Sequence, residues 1–410
     1  MNRSEVGGTA GLIGRGLGSL LRLGADRVGE SFGASLPRTA EQLARADVVE
    51  ALLRDAAPAS GRTLPTLVGA RYSGHTFESS NCTNFLVDVE FEDGLDGTEA
   101  PHPPTLYAKL PCPELATRAF ANAVGFWETE VVFCSQVAHR IPVRVPRVHA
   151  AVQRGSRFVL LLENLTEDPT VRMFINRDMA AGTSVDRSAR CLRTFAELHA
   201  SFYDLSVEER ERIFPMRLHT YLASGGSARS RALNAAAIAP TQRRAPDLFG
   251  EQHAALCRRA IAKWDALMEA WYGGPLTLIH GDSHLANCFE YDGEQGRRVG
   301  LIDFQGLQWC GPLRDVQYHL SNSLEPEVLA EAEGELIDGY LDALRSFGVD
   351  ISREATDAQY RAYAFQTLMV AAVSLGLGSL TEREDTVRAI LRRSVASIDR
   401  LGFADWLDAL

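Results

Sequence analysis

The chain has 410 residues, 46% of them apolar, and a formal charge of −11. That is enough apolar material for a substantial core spread over two or three domains or lobes, which excludes a disordered chain. The acidic balance argues against nucleic acid as a partner, because binders of phosphate backbones carry a basic surface.

Seven scattered cysteines, never spaced Cys-x-x-Cys, read as free thiols in a reducing cytoplasm. The apolar stretch 11–23 is dense in Gly and interrupted by Arg15 and Arg22, so it makes neither an integral membrane segment nor a signal peptide. Only two lysines, Lys109 and Lys263, stand among 42 basic residues. Where Arg has displaced Lys throughout, a Lys inside a strand is a pointed choice, since a compact ammonium and a guanidinium are not interchangeable.

Residues 1–60 read as an N-terminal extension, with a helix near 39–55 opened by Thr39 and carrying Val48, Val49, Leu52 and Leu53. Residues 61–165 are strand-rich. Leu67–Tyr72, Cys82–Phe91, Leu106–Leu110, Val145–Val152 and Phe158–Leu162 predict a five-stranded sheet, with one helix over Ala119–Val137. Residues 166–410 are mainly helical. Helical spacing covers 189–202, 251–271, 327–346, 357–377 and 382–401, the last opening on a Thr381-x-x-Glu384 capping box. The strands placed here flank Asp282 and Asp303.

In Leu106-Tyr-Ala-Lys109-Leu110, alternation sets Lys109 on the face opposite its neighbours, suited to reach the phosphates of a nucleotide. Glu128 and Glu130 lie two apart on the following helix and therefore on different faces; Glu130 is the expected partner of Lys109. The turn 73–80 holds one glycine, and its backbone with Ser79 and Ser80 is the expected phosphate cover, with an ordinary hairpin loop as the competing reading. The apolar strand through Glu163-Asn164-Leu165 is read as a hinge whose backbone faces an adenine edge, with a merely buried strand as the competing reading.

Further on, Leu278-Ile-His280-Gly-Asp282-Ser-His284-Leu-Ala-Asn287 is followed by a hairpin and by Val299-Gly-Leu-Ile-Asp303. Asp282, Asn287 and Asp303 thus fall on adjacent strand ends. Phosphoryl transfer needs such a grouping: one carboxylate to orient a hydroxyl, and an Asn with a second Asp to hold Mg²⁺. His280, Asp282 and His284 alternate in a way that also invites a metallohydrolase reading. His280 is taken instead as shaping the loop, His284 as lining an acceptor site, and Asp315 as accepting N–H groups of the loop.

Together His280-Gly-Asp-x-x-x-x-Asn287, Leu301-Ile-Asp303-Phe-Gln305, Gly311-Pro312 with Arg314-Asp315, and Leu161-Leu-Glu163-Asn-Leu165 resemble the aminoglycoside phosphotransferase and choline kinase superfamily, in its ecdysteroid-kinase-like branch. The resemblance implies an α+β, two-lobed protein-kinase-like fold, with a small antiparallel β lobe and a larger helical lobe. It implies transfer of the γ-phosphate of ATP to a small-molecule hydroxyl, with Asp282 as catalytic base and Asn287 and Asp303 as Mg²⁺ ligands. Lys109 with Glu130 would anchor the phosphates, and the segment at Glu163 and Leu165 would bind the base. The sequence departs from that pattern in its Gly-poor loop at Gly74 and in Asn164. The Gly-poor loop, with the extension over residues 1–60, motivates a second reading, a pseudokinase that binds nucleotide or partners without turnover. Glu208, Glu209 and Glu211 read as a solvated helix face, and the acceptor itself is not legible.

Overall fold

The computed structural model describes residues 18, 19, 23, 36–56, 66–77, 79, 81–92, 104–294, 296–378 and 384–410. These fall into two compact units. The first runs up to Arg140 and resumes at Val145–Pro169; the second comprises Ile141–Arg144 and Thr170–Leu410.

The first unit is built on a sheet. Helices α1 (Ala40–Leu43) and α2 (Ala46–Ala56) precede strands β1 (Leu67–Phe77), β2 (Cys82–Phe91) and β3 (Thr105–Pro111). Next come α3 (Leu115–Val124), α4 (Phe126–Val132), β4 (Val148–Arg154) and β5 (Arg157–Glu163). The strand order is β1-β2-β3-β5-β4, and every neighbouring pair is antiparallel.

Alternation along these strands gives the sheet two different faces. Phe85, Val87, Leu106, Ala108, Val159 and Leu161 form one buried set, and Leu43, Val49, Leu52 and Leu53 of α1 and α2 share its core. The 39–55 segment is therefore two helices that complete this hydrophobic layer. Lys109, Phe158 and Leu160 belong to the other face, where Trp127 of α4 packs on Phe158 with ring centroids 5.4 Å apart.

The single helix expected over 119–137 is broken. Gly125 takes φ 85° and its N–H caps α3 on the Ala121 carbonyl at 3.0 Å, a left-handed conformation that glycine adopts at no steric cost. After α4 a π-helical turn covers Phe133–Val137.

The second unit is mainly helical. In order it contains β6 (Arg172–Met173), α5 (Asn176–Ala181), α6 (Val185–Ser201), α7 (Val207–Ile213), α8 (Gly226–Arg244), α9 (Glu251–Ala262) and α10 (Trp264–Tyr272). Then follow β7 (Thr277–Ile279), β8 (Cys288–Gly293), β9 (Gly296–Leu301), β10 (Gln308–Cys310) and α11 (Leu313–Ser323). Helices α12 (Pro326–Ser346), α13 (Arg353–Leu377), α14 (Glu384–Arg400) and α15 (Phe403–Ala409) complete it.

β6, β8 and β9 form one small sheet, and β7 pairs with β10 in another. Neither β6 nor β10 is long enough to show alternation, so both are additions to the predicted strands. The predicted helix 251–271 is two helices that meet at Lys263 (φ −96°, ψ 28°); the Lys263 ammonium donates to the Leu407 carbonyl at 2.7 Å. Thr381 of the expected capping box lies outside the described residues. All seven cysteines are free thiols, and among the described residues no helix is long and apolar enough to cross a membrane.

α11 is the organising element of this unit. Every residue from Leu313 to Ser323 is buried, although most of them are polar, so its polar groups must find partners inside the protein.

Removing residues 1–56 would strip Leu43, Val49, Leu52 and Leu53 from the sheet core and leave an apolar sheet face bare. The truncated chain is expected to aggregate when assayed by light scattering; a monodisperse, cooperatively unfolding product would contradict this packing.

Candidate active site

In the sheet unit, β3 pairs with β2 and β5 so that Lys109 lies opposite Asn84 and Leu160. Its Nζ sits 2.7 Å from each carboxylate oxygen of Glu130 on α4, and both side chains are only 5% exposed. Desolvating two charges costs several kcal/mol per ion, so such a pair is weak evidence for stability and better evidence for a charge held in place. Glu128 lies elsewhere on the helix and is half-buried.

Glu163 ends β5. Its N–H donates to the Arg147 carbonyl at 2.8 Å and its carboxylate accepts the Arg147 N–H at 2.9 Å, so that N–H is committed within the sheet. Asn164 donates to the Thr105 hydroxyl at 2.7 Å and its side-chain oxygen accepts the Thr166 N–H, while Leu165 is buried. Ser79 is half-buried between β1 and β2, and Ser80 lies outside the described residues.

In the helical unit, β7 carries the fully buried Leu278 and Ile279 to His280. Gly281 follows with φ 81°, and a Cβ there would stand 1.9 Å from the Gly306 carbonyl oxygen; only glycine lets the two loops touch. Asp315 is fully buried. Its carboxylate accepts the His280 N–H at 2.7 Å and the Gly281 N–H at 2.9 Å, and its Oδ2 lies 3.2 Å from His199 Nε2. Burial alone raises the Asp315 pKa, but His199, His280 and these N–H groups more than offset that and hold it below the ordinary value.

The loop so fixed presents Asp282. Its Oδ2 accepts from the Asn287 amide at 3.1 Å, its Oδ1 accepts from the Tyr318 hydroxyl at 3.0 Å, and His284 Nε2 lies 3.5 Å from Oδ2. Asp282 keeps 24% of its side chain exposed. Burial pushes its pKa up; the charge and hydrogen bond of His284, with His280 and Tyr318, pull it well below the usual carboxylate range. Burial and the adjacent Asp282 charge drive the Tyr318 hydroxyl well above its usual value, so it stays a donor.

Asn287 directly precedes β8, and Cys288 pairs with Leu301 of β9. The Ile302 N–H donates to the Asn287 carbonyl at 3.0 Å, which places Asn287 beside the end of β9. Asp303 then takes a left-handed backbone, φ 61°, a conformation rare outside glycine and concentrated at functional positions.

His280, Asp282 and His284 do not converge as ligands. His280 Nδ1 accepts the Asp282 N–H and its Nε2 lies 2.8 Å from the Ile302 carbonyl, so both ring nitrogens serve the loop. The metallohydrolase reading loses one of its three ligands for that reason. Two participants were missed in the sequence, Tyr318 and His199. An Asp315-x-x-Tyr318 spacing, which puts both on one helical face, was the available signal for Tyr318; nothing local marked His199, which lies 116 positions from Asp315. Of the acidic cluster on α7, Glu209 closes a capping box with Ser206 and Glu211 accepts the Met216 N–H.

The sheet unit thus holds a β3 lysine clamped to a helical glutamate, and the helical unit an Asp–Asn loop backed by a second Asp. The chain belongs to the ecdysteroid kinase-like family, whose sequence profile matches residues 89–350. Comparison with curated protein sequences returned no match. Among solved structures, choline kinase from Cryptosporidium parvum Iowa II is similar at 11% identity and TM-score 0.46, over 88% of this chain and 99% of that one. An aminoglycoside phosphotransferase from Streptomyces rimosus is similar at 15% identity and TM-score 0.41, over 77% and 96%. Plasmodium vivax ethanolamine kinase is similar at 9% identity and TM-score 0.42, over 76% and 78%.

Asp315→Ala would strip two buried N–H groups and His199 of their acceptor. A loss of about 3–5 kcal/mol is expected in chemical denaturation, and a loss under 1 kcal/mol would remove Asp315 from this role. His284 provides a second check. Burial lowers its pKa, and Asp282 then raises it to a net value above the ordinary 6.5. Its contribution to stability is therefore full below about pH 6.5 and fades as the pH rises through the raised value. Asp282→Asn is expected to flatten that limb of the stability profile, and to bring the His284 imidazole down in an NMR titration.

Proposed function

We propose that the protein is a Mg²⁺-ATP-dependent phosphotransferase that moves the γ-phosphate to a hydroxyl of a small molecule. The observation that carries this reading is Asp282: a partly exposed carboxylate, kept ionised and fixed on one side by the Asn287 amide and on the other by the Tyr318 hydroxyl.

A carboxylate with so low a pKa is a poor base toward a resting alcohol. Its first task is to orient the acceptor hydroxyl by accepting its hydrogen bond. It takes the proton late, once the forming O–P bond has made that oxygen acidic, as suits a loose transition state. Tyr318 and Asn287 keep the carboxylate aimed, so no reorganisation is needed at the moment of transfer.

The residues at hand fit a hard divalent cation. The Asn287 amide nitrogen is committed to the Asp282 carbonyl at 2.8 Å and to its carboxylate, which leaves the side-chain oxygen of Asn287 and the Asp303 carboxylate as oxygen donors of the kind Mg²⁺ prefers. When bound there, Mg²⁺ supplies positive charge against the phosphates. Lys109, steadied by Glu130, supplies a second positive charge for them, and the backbone of Glu163–Leu165 together with the Ser79 turn completes the proposed nucleotide contacts.

Incubation of the protein with Mg²⁺-ATP and pooled amino alcohols, sterols, aminoglycosides and other hydroxylated metabolites is expected to consume ATP. Asp282→Ala should abolish that consumption and retain ATP binding by calorimetry; undiminished turnover in the variant would overturn the assignment. Lys109→Arg replaces a compact ammonium by a planar fork in a buried site. It is expected to raise the KM for ATP about tenfold, about 1.4 kcal/mol, with a smaller effect on the KM for the acceptor.

A further inference from the structure

Behind the loop, α6, β8 and α11 bring together Cys191, Cys288 and His319, all of them 0% exposed. One ligand atom from each lies within 4.8 Å of the other two, and among the described residues this is the one such group of His, Cys, Asp or Glu. His319 Nδ1 lies 2.9 Å from the Ser283 carbonyl, a contact that requires Nδ1 to carry the proton and leaves the lone pair on Nε2. That Nε2 is buried, and the polar group beside it is the Cys191 thiol, a weak donor.

We propose that these three residues form a zinc site. Zn–S bonds of about 2.3 Å and Zn–N bonds of about 2.0–2.1 Å set tetrahedral ligands roughly 3.5–4 Å apart, so ligand atoms within 4.8 Å of one another would draw in by up to about 1 Å around the ion, with a single enclosed water or a backbone oxygen in the fourth position. Binding releases the two thiol protons, and Zn²⁺ with two thiolates and a neutral imidazole has no net charge, which suits a site sealed from water. The Ser283 carbonyl on the far nitrogen is the outer partner that zinc-bound histidines ordinarily have. A Cys191–Cys288 disulfide would leave the buried Nε2 unserved and would need an oxidant.

The site has a bearing on the loop. Cys288 adjoins Asn287, and its thiol donates to the His284 carbonyl at 3.7 Å; His319 adjoins Tyr318 and grips Ser283. The ion would therefore tie one helix of the core, the start of β8 and α11 to a single point beneath Asp282.

Because the cluster is sealed, the full-length chain is best loaded by refolding in zinc, followed by desalting and elemental analysis. One zinc per chain is expected, and refolding in cobalt should give the sulfur-to-cobalt charge-transfer absorption of a thiolate site. Cys191→Ser and His319→Gln should each lower zinc to background, whereas Asp303→Asn should retain it, which separates this site from the Mg²⁺ site. A zinc-free refolded chain, zinc undiminished in both ligand variants, or a Cys191–Cys288 disulfide found by mass spectrometry would overturn the proposal. If the variants fail to fold, the wild-type cobalt spectrum decides: absence of thiolate charge transfer rejects it.

Discussion

The candidate site depends on a carboxylate that never meets solvent. Asp315 accepts two successive backbone N–H groups, at His280 and Gly281, and faces His199 on the same oxygen that His280 uses. A buried charge is tolerated only when its lone pairs are filled, and here the filling is the loop itself. The loop cannot leave without stranding the carboxylate, and the carboxylate cannot be neutralised without releasing the loop. This mutual dependence explains why α11 is polar and yet buried from end to end. The helix is a rack of fixed partners: Asp315 for the loop backbone, Tyr318 for Asp282, His319 for the Ser283 carbonyl.

The sheet unit solves a parallel problem by other means. Its ammonium and carboxylate, Lys109 and Glu130, neutralise one another at 2.7 Å with almost no exposure. One sheet face is devoted to α1 and α2, and the opposite face to α4 and this pair. A strand register shifted by one residue would move Lys109 into the aliphatic layer, so the apolar alternation of Leu106, Ala108 and Leu110 is what aims the charge.

Much of this was legible in the sequence, for identifiable reasons. Lys109 stood out because lysine is scarce, and the five strands showed themselves by alternation. The Asp282, Asn287 and Asp303 grouping was visible because a hairpin keeps it within a short stretch of chain. What escaped notice shares a different character. α11 carries Leu313, Val316 and Leu320 at helical spacing, but nothing in that pattern announces the burial of its polar positions, which depends on partners contributed from distant segments. The break at Gly125 turns on a single backbone angle, and helical spacing continues on both sides of it. The cysteines looked unrelated because Cys191, Cys288 and His319 are far apart along the chain, and no spacing motif spans such a gap.

The rarity of lysine has a consequence for experiment. Lys109 is locked to Glu130, and Lys263 donates to backbone carbonyls at Leu407 and Asp408. The protein therefore offers amine-directed reagents just two side chains, both engaged. An ATP analogue that acylates amines would face almost no background on this surface, and a single mass increment mapped to β3 would report nucleotide engagement directly, in a crude extract as well as in a purified sample.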